Sequence, residues 1–105
     1  MRLLAEGSAA MGARAWREFW KARGMRELRL LVWAMWDPIG CGVPIDEYDG
    51  YLFRIASLLG SRASEQALAD ELARIRRDEI GLPPDEGADA RAAQKIALWF
   101  ASVSA

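Results

Sequence analysis

Asp37, Asp46, Glu47 and Asp49 form the one dense group of carboxylates beside a loop, within the stretch WAMWDPIGCGVPIDEYDGY that runs from Trp33 to Tyr51. Hard oxygen ligands of this kind suit Mg²⁺ or Ca²⁺. The spacing lets Asp46 and Asp49 share a helix face, with Asp37 returned to them by the turn. The order DPIGCGVPIDEYD nevertheless lacks the alternating ligands and closing glutamate of an EF-hand loop. Capping of a following helix explains Asp46 and Glu47 without a metal. Cys41 lies between Gly40 and Gly42 beside that helix start, a setting that can lower a thiol pKa. It has no histidine to pair with, and a lone cysteine more often behaves as a small hydrophobe. The glycines have neither the spacing of a phosphate loop nor a following Lys-Ser/Thr. The reading therefore assigns no catalytic residue, metal or cofactor.

Trp33, Trp36, Tyr48 and Tyr51 surround the same loop. Four large aromatics beside one turn cannot all point inward in so small a protein. Tyrosine and tryptophan carry interface energy well, because each buries a large area and keeps a polar handle. The expected working face is thus Trp33, Trp36, Asp37, Asp46, Glu47, Tyr48, Asp49 and Tyr51, with a basic protein as its partner.

Several chemistries are excluded outright. The chain has no histidine, which removes a Ser-His-Asp triad, a Cys-His pair and His-ligated zinc or haem. A single cysteine excludes an intrachain disulfide and points to a reducing cytoplasm. No apolar run approaches the roughly 20 residues that span a bilayer, so no membrane is expected. The opening MRLLAEGSAA has an apolar patch too short for a secretory leader, although an Arg-rich, acid-poor start also suits a transit peptide. A net charge of -1 makes binding of nucleic acid by bulk electrostatics an unfavoured reading. The charge is uneven, with Arg2, Arg14, Arg17, Lys21 and Arg23 set against Glu6 and Glu18 before Met25.

With 105 residues, the chain has room for one modest core. The elements that must hold the loop read as helices. A loose tail covers 1–8, followed by a helix from Ala9 with Ala15, Trp16, Phe19 and Trp20 at helical spacing, capped by Gly24. Residues 1–24 are expected to be a basic, aromatic extension that the fold can lose, and 25–105 a single helical domain. Met25–Met35 is the core helix, its face formed by Leu28, Leu31, Val32 and Met35 and widened by Leu30 and Trp33. Asp37-Pro38 ends it. A third helix starts at Asp46 and buries Tyr48, Leu52, Ile55 and Leu59 before stopping at Gly60. Ser64 caps a fourth, with Leu68, Leu72 and Ile75 inward, an Asp70–Arg74 pair, a solvated Arg76–Glu79 end and Gly81 as cap. After LPPDEGAD, Asp89 caps a fifth helix bearing Ala93, Ile96, Phe100 and Val103. No strand period or internal repeat stands out. The fold class is all-α, a bundle of four to five helices, with Leu72, Leu28, Val32, Leu52, Ile55 and Phe100 in its core.

WDPIG followed by DEYD and Tyr51 resembles the YugE-like family of small bacterial helical proteins of unassigned function, and ELARIRRDEIGL is similar in style to that family's corresponding segment. The likeness covers about Met25 to Leu82, and residues before Met25 depart from it. It implies a helical fold and no activity; by analogy, small acidic helical proteins of this kind look like immunity or antitoxin partners. The function expected is a cytoplasmic protein-binding module using the 36–51 face. The alternatives are a nucleic-acid accessory protein using Arg14, Arg17, Lys21 and Arg23, and a divalent-metal enzyme. Partner identity and oligomeric state are not legible.

Overall fold

The computed structural model describes residues 12–104, so the expected tail at 1–8 and the helix start at Ala9 lie outside the described residues. Within them the protein is an all-α bundle of four helical rods with no strand. The first rod is the longest surprise of the chain. Helix α1 (Ala13–Phe19), a π-helical stretch (Trp20–Gly24), helix α2 (Met25–Leu31) and a second π-helical stretch (Val32–Trp36) follow one another without a break. Gly24 has φ -59° and ψ -48°, ordinary right-handed helix, and is not the cap that its type suggested.

Gly24 is required for a different reason. A Cβ there would lie 2.6 Å from Phe19 Cε2 and 2.6 Å from Trp20 Cε3. The widened π turn stacks the two rings back over the glycine, and only hydrogen fits beneath them. Those rings join Trp16, Trp99 and Phe100 in an aromatic cluster. Trp20 stacks on Phe100 with centroids 6.2 Å apart, and Trp16 meets Phe100 edge-on at 5.9 Å. Trp20 is a core residue, so the described residues before Met25 pack into the body of the bundle.

The rod ends at Asp37, which adopts left-handed angles (φ 34°, ψ 64°) while its N–H still bonds Val32 O at 3.0 Å. An ordered loop follows to Tyr48, then a 3₁₀ turn (Asp49–Tyr51) and helix α3 (Leu52–Gly60). The α-helix therefore starts at Leu52 rather than Asp46. The sequence between Pro44 and Tyr48 closes i→i+3 turns instead, Glu47 N to Pro44 O and Asp49 N to Asp46 O. Tyr48, Leu52, Ile55 and Leu59 are all buried as the spacing required. At the far end of α3, Arg62 takes the left-handed position (φ 62°), with Ala63 N bonded to Leu58 O and Arg62 N to Leu59 O. Gly60 is small because a Cβ would sit 2.7 Å from Trp16 Cζ2.

Helix α4 (Glu65–Arg74) starts on Ser64, whose Oγ accepts from Ala67 N at 3.0 Å, and runs into a π-helical end (Ile75–Ile80) closed by left-handed Gly81. Helix α5 (Glu86–Ser104) packs along α4 in the most extensive helix–helix contact of the molecule. Its cap is Asp85, whose Oδ1 accepts from Ala88 N at 3.0 Å; Asp89 lies inside the helix and is buried. The core joins Leu28, Val32, Leu52, Ile55, Leu72 and Phe100 with Leu68, Ile75, Ala93 and Ile96. Met35 is half-exposed rather than inward, because the second π stretch brings Trp36 into the core in its place. Arg74 pairs with Glu71 and Glu79, while Asp70 accepts from Gln66, so the expected Asp70–Arg74 pair does not form.

Candidate functional site

The structure gathers the expected face residues around the 37–48 loop, but spends most of them on holding it. Tyr48 is buried, and its hydroxyl donates to Asp37 Oδ1 at 2.6 Å while accepting from Ile39 N at 3.1 Å. Asp37 Oδ1 also accepts from Gly40 N at 3.2 Å. Burial, and then the bond to the Asp37 carboxylate, push the Tyr48 hydroxyl up to about 12. Trp36 is buried beside it, ring centroids 5.7 Å apart. Trp33 remains exposed along one edge, yet its indole N–H donates to Val43 O at 2.9 Å and ties the loop back to the rod. Tyr51 is half-buried edge-on to Trp36, with the Arg54 guanidinium 5.7 Å over its ring.

The acids do not form one cluster. Asp49 receives both Nε and Nη2 of Arg29, at 3.0 and 2.5 Å, and this pairing holds the Arg29 guanidinium above its ordinary range. Asp46 and Glu47 stay exposed. Among the described residues no three acidic or cysteine side chains converge as metal ligands. Cys41 is exposed, its Sγ 3.4 Å from Ile39 O. The side chains that the loop leaves exposed are therefore Cys41, Pro44, Ile45, Asp46 and Glu47, with Trp33 and Leu30 exposed on the rod.

Sequence reasoning missed two other features. The first is a buried polar triad. Arg76 and Asp89, 6% and 2% exposed, are joined by Nε and Nη2 bonds of 3.1 and 2.8 Å to Asp89 Oδ1, and Trp36 Nε1 donates to the same oxygen at 2.8 Å. This network ties the rod, the end of α4 and the start of α5 at one point. Its only sequence signal is an arginine and an aspartate falling on the apolar stripes of their helices: Arg76 follows Ile75, and Asp89 is three before Ala92 and four before Ala93.

The second is a groove of about 400 Å³ between the first rod and α3. Trp16, Trp20 and Met25 line one side and Phe53, Ala56 and Ser57 the other, with Arg17 and Lys21 at the rim. Phe53 is 77% exposed, the most exposed of the large apolar residues described. Its position within the α3 pattern gave the signal: it falls outside the Leu52, Ile55, Leu59 stripe, where a polar residue is expected. Of the basic residues expected to form an arm, Arg14, Arg17 and Lys21 are exposed, whereas Arg23 is engaged by Glu27 at 2.8 Å.

Among the described residues no helix is long and apolar enough to cross a membrane. Comparison of the chain with family models, with curated proteins and with solved structures gives no match.

Proposed function

We propose that this chain is a small cytoplasmic protein-binding module, and that its docking surface is the groove between the first rod and α3. The observation that carries this reading is Phe53, a large aromatic held almost fully in solvent opposite Trp16, Trp20 and Met25. An aromatic at 77% exposure gains nothing for the fold, whereas beside an apolar cleft it is the kind of anchor that carries most of an interface's energy. The expected 36–51 face supports the reading less well, because Trp36 and Tyr48 are buried and Asp37 and Asp49 already have partners. The exposed Ile45, Asp46 and Glu47 sustain a second reading, in which the pinned loop docks a basic partner. A nucleic-acid role for Arg14, Arg17 and Lys21 comes third, since the groove that Arg17 and Lys21 flank is floored by apolar side chains.

A photoreactive phenylalanine analogue placed at 53, and separately at 45, separates these readings. Both positions are exposed, so neither replacement disturbs the core. Irradiation in a lysate of the source organism should give a discrete protein adduct from position 53, lost when Met25 is changed to Asp. Adducts from position 45 alone would move the docking surface to the loop. Adducts to nucleic acid at 53 would replace the protein-binding reading.

A further inference from the structure

The rim of the groove carries cations that the fold has not neutralised, as it has not neutralised Arg14, Arg26, Arg91 and Lys95, which have no carboxylate partner among the described residues either, Arg26 donating to Ala22 O instead. Arg23, Arg29, Arg54, Arg74, Arg76 and Arg77 each lie within 2.8 Å of a carboxylate oxygen. Arg17 and Lys21 have no such partner among the described residues, although both are exposed beside the cleft. They stand four apart on the rod, which puts them in a row parallel to the Trp16 and Trp20 row that walls the groove. The wall itself holds an unmet donor. Trp20 is buried, and among the described residues its indole N–H is the one buried side-chain polar group without a hydrogen-bond partner. A buried donor without an acceptor is costly, and native proteins leave few of them.

Resting on the docking reading above, we infer that the groove receives an acidic amphipathic helix of a partner protein. Its apolar stripe lies against Trp16, Trp20, Met25 and Phe53, and its flanking carboxylates meet Arg17 and Lys21. With no strand edge among the described residues, strand addition has nothing to pair with, and a groove between two helices is a setting in which an amphipathic helix lays down its apolar face. Two cations without a carboxylate partner among the described residues, set on an apolar cleft, select for negative charge on an otherwise apolar ligand. A basic helix with the same apolar stripe would bring like charges together at the rim.

The test is calorimetric titration of the full chain with two synthetic helical peptides that share leucines at i, i+3, i+4 and i+7. One is flanked by glutamates and the other by lysines. The glutamate peptide should bind about tenfold or more tightly than the lysine peptide at low salt, the gap shrinking as salt screens the rim. The double variant R17E/K21E should reverse the preference. Phe53→Asp should weaken both peptides about tenfold, while Leu98→Asp, on an exposed site of α5, should change neither. Equal binding of both peptides, still lost in Phe53→Asp, would overturn the acidic helix and leave the docking groove standing. A glutamate preference indifferent to both Phe53→Asp and R17E/K21E would place the peptide elsewhere and overturn both. Binding of neither peptide, with anionic vesicles or a second copy of the chain occupying the groove in a Phe53-dependent way, would overturn the inference in favour of that occupant.

Discussion

Asp89 sits one turn inside α5 with almost no access to water, and its charge is tolerable there only because Arg76 and Trp36 both reach it. Breaking such a pair from one side leaves the other charge uncompensated, at about 3–5 kcal/mol. Asp89→Asn should therefore lower the unfolding free energy by about that much in urea titration. Joint replacement by Arg76→Met and Asp89→Leu should recover most of the loss. About 1–3 kcal/mol should remain outstanding, because the Trp36 indole N–H is then buried without an acceptor. A cost under about 1 kcal/mol for Asp89→Asn would mean the triad is not formed in solution. Tyr48 gives a second residue-scale test, through pH. Its hydroxyl is held neutral by burial and by the Asp37 carboxylate, with the folded-state value pushed up to about 12 against an ordinary value of 10.0. Below pH 10 both folded and unfolded states keep the proton and the contribution to stability is full. Between about 10 and 12 the unfolded state alone releases it, so stability should fall across that window. Tyr48→Phe should start about 1 kcal/mol lower at neutral pH and show a shallower alkaline decline; parallel curves would contradict the assignment.

At the scale of the element, helix termini were legible where a side chain caps within one turn, and illegible where a residue's size rather than its conformation mattered. Ser64 and Gly81 behave as their types suggest. Gly24 does not, because positive φ and close ring approach select glycine equally and a sequence does not distinguish them. Asp85 and Asp89 both stand ahead of the apolar stripe Ala93, Ile96, Phe100 in a way that suits a cap. The choice fell to Asp85 because Arg76 and Trp36, 13 and 53 residues distant, claim Asp89. Long-range partners of that kind leave no local pattern. In an ordinary helix interior, alanine would gain about 1 kcal/mol over glycine. Here Gly24→Ala should instead cost about 1–3 kcal/mol, the range for an overpacked methyl, because Phe19 and Trp20 must move off it. The penalty should shrink in a Phe19→Leu background, where one of the two rings is gone. A double-mutant cycle on thermal unfolding reads this coupling, and strict additivity would return Gly24 to a purely conformational role.

For the whole molecule, the all-α bundle and its core stripes were legible because apolar spacing in Leu28, Val32, Leu52, Ile55, Leu72 and Phe100 is a local signal that burial follows. The division of the chain at residue 24 was a weaker inference, resting on a glycine and a change of charge. The candidate site suffered most: aromatic and acidic residues near one loop look alike whether they face a partner or fasten the loop. In this protein Trp33, Tyr48 and Asp37 fasten it, while Phe53, off the apolar stripe of α3, is left in solvent. The unbroken first rod has a consequence for the fold as a unit. Trp20 is 7% exposed and stacks on Phe100, with Trp16 and Phe19 around it. Removing residues 1–24 would strip this aromatic cover and leave Phe100 and Trp99 of α5 facing water. Losing a single buried aromatic costs about 3–5 kcal/mol, comparable to a large part of the total stability of a domain this size. The truncated chain should therefore be unfolded or molten at 25 °C, with near-ultraviolet circular dichroism lost and hydrophobic-dye binding gained. Removal of residues 2–11, which stops before Gly12 and the start of α1, gives the comparison that separates loss of aromatic packing from mere shortening of the chain. A native spectrum and cooperative unfolding for the chain beginning at Met25 would show that the aromatic cluster is an accessory to the bundle. A loss of cooperativity confined to the longer deletion would make Trp20 and its neighbours part of the one core this chain has.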